Sequence, residues 1–351
     1  MESLRDDDLD WPYARARLWT GIVSIGFNLG LVWALWWWVG GQAWASTVPT
    51  PLTAVVIMAG VFIGIALVNL PLDWVTGYWV ERHYGRGTRK MGAWLGNWVS
   101  GMSGLLLIQV LGGMLFGAWL FNYPFAGAVL VLLPGIYVGL KIWQFHWIPA
   151  RLKRPAEWKP GYAEGVRAEL KRMGGSWPED LYLYRAEDPT LVNGGRVGMG
   201  THTRLMVSDA CQEHLTPREL ALLIHREEGL DRANSVGRNL DLSMLWVLAG
   251  ILGLIAWVGS WGWVGWSTWF FALAWMTTWH WLGLFVLPWL ARREVLFGDR
   301  WLARNGSSKE EVRALVTKLQ ALNRTDRELP PVTEAVFHPI PSLQTRLRNL
   351  T

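Results

Sequence analysis

The residues with the most evident chemistry stand at the end of one apolar run, Leu215-Thr216-Pro217-Arg218-Glu219-Leu220-Ala221-Leu222-Leu223-Ile224-His225-Arg226-Glu227-Glu228-Gly229. Two imidazoles four residues apart on a helix can reach one zinc ion, and a Glu beside the first can activate the water on that ion. Only the first imidazole is present in this chain. Arg226 takes the place of the Glu, and Gly229 takes the place of the second His. A single His beside a permanent cation offers zinc neither the coordination number nor the charge it needs, so zinc is expected to be absent. His225 and Glu228 remain as an i, i+3 pair, a spacing also common on solvated helices. No Ser nucleophile motif, phosphate loop or Cys-His arrangement suggests another cofactor or chemistry, and Cys211, the single cysteine, reads as a buried thiol.

The elements that must position these residues are legible around them. Thr216 suits the N-cap, Pro217 the first helical position and Glu219 the third, which together form a capping box. Residues 161 to 173 read as an amphipathic helix, with Val166, Leu170 and Met173 on one stripe. A strand at Leu181 to Tyr184, a loop at Asp188 to Gly195 and a second strand at Thr203 to Asp209 lead into the His225 helix. Ser308 with Glu311 forms another capping box, opening a helix to about Asn323.

The 351 residues are 51% hydrophobic, concentrated in long runs. Residues 18 to 40, 52 to 79, 93 to 121, 124 to 147, 242 to 265 and 268 to 290 each supply about the 20 apolar residues that cross a bilayer. The first run follows an acidic stretch and lacks a small-residue cleavage pattern, so it is read as a span and not as a signal peptide. The loops at 41 to 51, 122 to 123 and 266 to 267 hold no charged residue, whereas Arg82, Arg86, Arg89, Lys90, Arg151, Arg292 and Arg293 lie on the other side. The positive-inside rule then places both termini and residues 151 to 240 in the cytoplasm, and a bacterial inner membrane is the expected location. With the net charge of +5 accounted for in this way, nucleic acid is not an expected partner. Most of the 27 tryptophans sit in or beside the spans and read as interfacial anchors. Asp73 lies within or near the second span, where it either faces a polar cavity or a partner such as Lys141, or sits at the interface.

Leu70-Pro71-Leu72 followed by Glu81 to Gly85, the exit Ile148-Pro149-Ala150-Arg151, Val192-Asn193 with Val207-Ser208-Asp209, Ala291 to Trp301 and Phe337 to Arg346 follow one another in an order that resembles the CAAX prenyl protease 1 family, integral-membrane zinc metallopeptidases of the HtpX type. The resemblance implies an α-helical integral membrane protein of about six transmembrane helices with a cytoplasmic α+β, zincin-like domain. Residues 1–150 would form a four-helix membrane domain, 151–240 the peptidase-like region, 241–290 two further spans and 291–351 the rest of the peptidase-like domain. Asn193 matches a residue of the strand that lines the substrate groove, with Gly194 where Ala is usual. Asp299 matches an Asp supporting the site, and counting back four places Val295 at the third zinc ligand. Glu294 is one residue off, a turn of about 100° on a helix. Arg346 matches a closing Arg, and the His preceding it falls on Ile340, or on His338 with a two-residue insertion.

The expected function is that of a catalytically inactive homologue, a pseudoprotease that binds or scaffolds in the membrane, a role that includes being a subunit of a larger membrane complex. Its expected partners are membrane lipids and other membrane proteins or a hydrophobic or lipidated peptide, which could pair with an edge strand near 192 to 207. The alternative is an active membrane endopeptidase with a rearranged metal site at His225 and Glu228, completed by Glu294 or His338.

Overall fold

The structure is a computed structural model and describes residues 6–47, 50–85, 89–122, 155–186, 191–197, 204–261, 265–323, 328–329 and 331–350. It divides into two compact units, residues 1–136 with 245–283 and residues 137–244 with 284–351.

The described residues of the first unit are mostly helical. Helix α1 (Asp6–Gly40) is followed by α2 (Pro51–Trp74), which runs through a π-helical turn (Val75–Trp79) and a last turn (Val80–His83), and by α3 (Met91–Asn122). Thr50 caps α2 and Pro51 occupies its start, where a missing N–H costs nothing. Pro71, inside α2, removes one ladder bond, and the widened turn follows four residues on. Helices α7 (Ser235–Trp261) and α8 (Trp266–Arg304) each contribute a long apolar stretch. Among the described residues four helical segments are long and apolar enough to cross a membrane: Arg15–Gly40, Val55–His83, Gly237–Ser260 and Trp266–Arg304. The run expected at 124 to 147 lies outside the described residues, as does Lys141.

Several polar contacts inside this unit join neutral side chains, beside the pairing of Glu81 with Tyr13 and Arg17. The Asn28 and Asn69 amides exchange hydrogen bonds of 2.9 Å between α1 and α2. The Trp33 indole donates to Thr278 Oγ1 at 2.9 Å. Trp246 and Trp279 stack at 4.7 Å, each N–H donating to the other's carbonyl at 3.2 and 2.7 Å. Asp73 accepts from the Trp98 indole at 2.9 Å. The partner found for Asp73 is therefore an indole.

The second unit is α+β. Its sheet has the order β1 (Tyr182–Tyr184), β3 (Arg204–Ser208), β2 (Gly194–Val197), with β1 parallel and β2 antiparallel to β3. In register, Leu183 and Gly194 both oppose Val207. Among the described residues it also holds helices α4 (Tyr162–Arg172), α5 (Ala210–His214), α6 (Pro217–Arg232), α9 (Lys309–Asn323), α10 (Pro331–Phe337) and α11 (Leu343–Asn349). The core joins Val166 and Leu170 of α4, Leu205 and Val207 of β3, Leu220 and Ile224 of α6, Leu302 of α8 and Leu315 of α9. Gly194 admits this packing, since a Cβ there would stand 3.0 Å from Leu223 Cδ2.

Candidate functional site

Helix α6 is fixed at its start by the capping box read from sequence: the Thr216 hydroxyl accepts from the Glu219 N–H and the Glu219 carboxylate accepts from the Thr216 N–H. Lys318 of α9 binds the same carboxylate at 2.7 Å, and Arg218 reaches Glu311 at 3.1 Å. Partial burial opposes ionisation of Glu219, but Lys318 and the Thr216 donors outweigh it and hold the carboxyl below its ordinary value. With its start pinned, α6 carries residues 220 to 225 through the core and delivers His225, Arg226 and Gly229 to α8.

His225 is 3% exposed and both ring nitrogens are engaged. Nε2–H donates to the Asn305 carbonyl at 2.8 Å, because a carbonyl can only accept, and Nδ1 lies 3.0 Å from Glu228 Oε2. The i, i+3 pair is thus brought together. Among the described residues no group of three His, Cys, Asp or Glu side chains is placed to hold a metal ion. Glu294 is instead bound to Arg238 at 3.2 Å and to the Asn239 amide. The His338 carbonyl accepts from Arg292, which also caps the α10 carbonyls of Glu334 and Ala335. Ile340 is exposed.

Gly229 faces an indole. A Cβ on Gly229 would stand 2.3 Å from Cδ2 of Trp301, whose ring lies 4.7 Å from the His225 ring. Trp301 therefore fills the space into which a second histidine at 229 would project. The Arg232 guanidinium lies 5.9 Å from the centroid of the same indole and holds Glu228 at 2.6 Å.

Arg226 crosses from α6 to α8. Its Nε–H donates to Asp299 Oδ1 at 3.0 Å, Nη1 to Glu227 Oε1 at 2.9 Å and Nη2 to the Val295 carbonyl at 3.3 Å. Asp299 is 0% exposed and takes Arg346 as well, through Nε and Nη2 at 2.8 Å each. Arg346 is aimed by the start of α11, where the Ser342 N–H and hydroxyl donate to the buried Glu334 carboxylate at 3.0 and 3.1 Å. Two guanidinium groups thus enclose one buried carboxylate, and Glu227 balances the second positive charge. Burial works against the Arg226 charge, but Asp299 and Glu227 outweigh it and raise its pKa further. Burial pushes the Glu227 carboxyl above its ordinary value, against the pull of Arg226 and Arg196.

Set beside solved structures, this arrangement sits on a known scaffold. The crystal structure of S. mikatae Ste24p matches it with a TM-score of 0.74 at 16% identity, over 100% of this chain and 90% of that chain. The chain shares its fold with Ste24p. At that identity the likeness concerns the fold alone. No family model matches the chain, and no curated protein matches its sequence.

The residues present do not fit the zinc that the resemblance implies. Of the three positions, 225 has both nitrogens engaged, 229 lies under an indole and 295 carries an aliphatic side chain, with only its carbonyl turned to Arg226. Asn193 lies just before β2; its N–H donates to Ser208 Oγ at 3.0 Å and its carbonyl accepts from the Ser208 N–H at 2.9 Å, so it fixes the joint between β2 and β3. Sequence reading found His225, Arg226, Gly229, Val295, Asp299 and Arg346 but missed Trp301, Glu227 and the Asn305 carbonyl. One signal was available: an Arg in place of a carboxylate, with Asp299 retained, invites their pairing.

Proposed function

We propose that this chain is an integral membrane protein that keeps a metallopeptidase-like fold without zinc chemistry and acts in binding or scaffolding. In this reading it spans the membrane six times, with both termini and the peptidase-like segment in the cytoplasm. The fold likeness to Ste24p supports the metallopeptidase-like scaffold and the apolar helices support the membrane setting. The observation that carries the loss of chemistry is the joint placement of Trp301 over Gly229 and of Arg226 on Asp299, the carboxylate that the resemblance assigns to metal support. A guanidinium there opposes a divalent ion by charge and joins α6 to α8 by hydrogen bonds. The retained edge strand β2 offers backbone groups to an extended peptide, and lipid or a lipidated peptide suits the membrane unit.

The test is metal analysis of the purified protein together with incubation against prenylated and unmodified peptides. No stoichiometric zinc and no cleavage are expected. One zinc per chain, removable by chelator and lost in His225→Ala, would overturn the reading in favour of an active site at His225 and Glu228. Proteins co-purifying in mild detergent identify the partner.

A further inference from the structure

The second unit has an open groove of about 660 Å³ between α9 and α11, none of whose lining residues belongs to the Arg226–Asp299 network. Its walls carry Arg313, Thr317 and Lys318 from α9 and Arg348 from α11, and Ala321 and Leu347 add apolar surface. No carboxylate lines it. Positions 313, 317 and 321 follow one another at intervals of four, so a guanidinium, a hydroxyl and a methyl group lie in one row along α9. The charge on Lys318 is offset by Glu219, which holds its ammonium at 2.7 and 3.0 Å. Arg313 is in a different state: its Nε–H is shielded from solvent and has no hydrogen-bond partner among the described residues. A shielded N–H lacking an acceptor costs stability, and an acceptor that reaches it recovers that cost.

We propose that this groove is a binding site for a phosphate group, anchored by Arg313 and Arg348 from its two walls. A guanidinium presents N–H donors in a flat fork that matches two oxygens of an oxyanion. A tetrahedral phosphate has oxygens to offer both forks and the Thr317 hydroxyl at once, whereas the two oxygens of a carboxylate are used up by one fork. Ala321 and Leu347 then receive the apolar portion attached to the phosphate. Two sources carry this chemistry, a free phosphorylated small molecule and the headgroup of an anionic phospholipid.

The experiment uses the full chain in detergent, titrated with inorganic pyrophosphate by calorimetry, and in parallel loaded with phosphatidylglycerol and examined by native mass spectrometry. Binding is expected to weaken by about tenfold or more in Arg313→Gln and in Arg348→Gln. It should be unchanged in Arg304→Gln, which removes an equal charge from an exposed position of α8 outside the groove. Should Arg313→Gln fail to fold, Arg313→Lys keeps the charge, loses the fork and is expected to weaken binding in the same sense. Pyrophosphate binding with this dependence assigns a free phosphorylated ligand; lipid retention alone with the same dependence assigns a headgroup. Absence of both, or equal weakening by Arg304→Gln, overturns the proposal.

Discussion

The packing of α7 on α8 in the first unit and that of α6 on α8 in the second use one device with opposite surroundings. In each a glycine on one helix lies beneath an indole from α8: a Cβ at Gly250 would meet Trp279 at 2.3 Å, and one at Gly229 would meet Trp301 at 2.3 Å. Around Trp279 the hydrogen bonds run from indole N–H to carbonyl, with no titratable atom, as suits helices in hydrocarbon, where charge is costly. Around Trp301 lie His225, Glu228 and Arg232, with the Arg226–Asp299–Arg346 network alongside. The contrast changes the meaning of Gly229. Beside a motif it is a missing histidine; beside Gly250 it is the room a tryptophan requires.

The largest effect expected from breaking this contrast is on the charged side. Asp299→Ala would leave the Arg226 and Arg346 guanidinium groups without their shared carboxylate in the interior, a loss of about 3–5 kcal/mol. Thr278→Val, which removes a neutral bond of the first unit, should cost only about 0.6 kcal/mol. Thermal unfolding in detergent, followed by a thiol-reactive dye at the buried Cys211, compares the two. Equal losses would mean that the buried charges contribute no more than a single neutral bond.

A smaller effect is expected from the glycines. Gly229→Ala and Gly250→Ala should each destabilise by about 1–3 kcal/mol through overpacking, although alanine is the better helix former. Adding Trp301→Leu to Gly229→Ala should recover part of the loss, and strict additivity would show that the two residues share no space. The same indole governs any restored metal site. On sequence alone, Arg226→Glu, Gly229→His and Val295→Glu together are expected to recover metal binding. The structure adds a fourth change, Trp301→Ala, without which the new histidine has no room. Stoichiometric zinc in the triple variant with Trp301 intact would show that the indole is easily displaced.

Much of this was legible in the chain because local rules dominate where it was read correctly. Thr216 with Glu219 and Ser308 with Glu311 mark helix starts through contacts three residues apart, and both capping boxes are formed. The strands around Tyr182 and Leu205 came from short runs of aromatic and aliphatic residues between turn residues. What escaped were contacts across long separations. Trp301 meets Gly229, and Asn305 meets His225, through the crossing of two helices, and neither residue type announces such a partner. Glu294 shows the same limit. As a carboxylate near the expected ligand position it was a candidate donor, but its helix face turns it to Arg238 and Asn239.

The smallest expected effect concerns pH and sharpens the comparison from the acid side. The Ser308 N–H holds the Glu311 carboxyl below its ordinary value, with burial opposing and Arg218 assisting, and Glu219 is lowered as described above. A carboxyl lowered in the folded state contributes stability that is fully present above its unfolded value, 4.5 for both groups, and is lost as pH falls from there through the folded values. Both groups are partly exposed, so solvent screening limits each to less than about 1 kcal/mol. Glu227 has the opposite sign: its carboxyl is raised, so it favours the folded state below the unfolded value and loses that contribution as pH rises through the folded one. Tryptophan emission can follow unfolding of wild type and of Glu219→Gln/Glu311→Gln at about pH 6 and about pH 4, a range that spans the unfolded carboxyl value. Wild type should lead at the higher pH and the gap should narrow at the lower one. A gap independent of pH would show that the double variant acts through lost packing, leaving the charged ties of α6 and α9 without a measurable share of the second unit's stability.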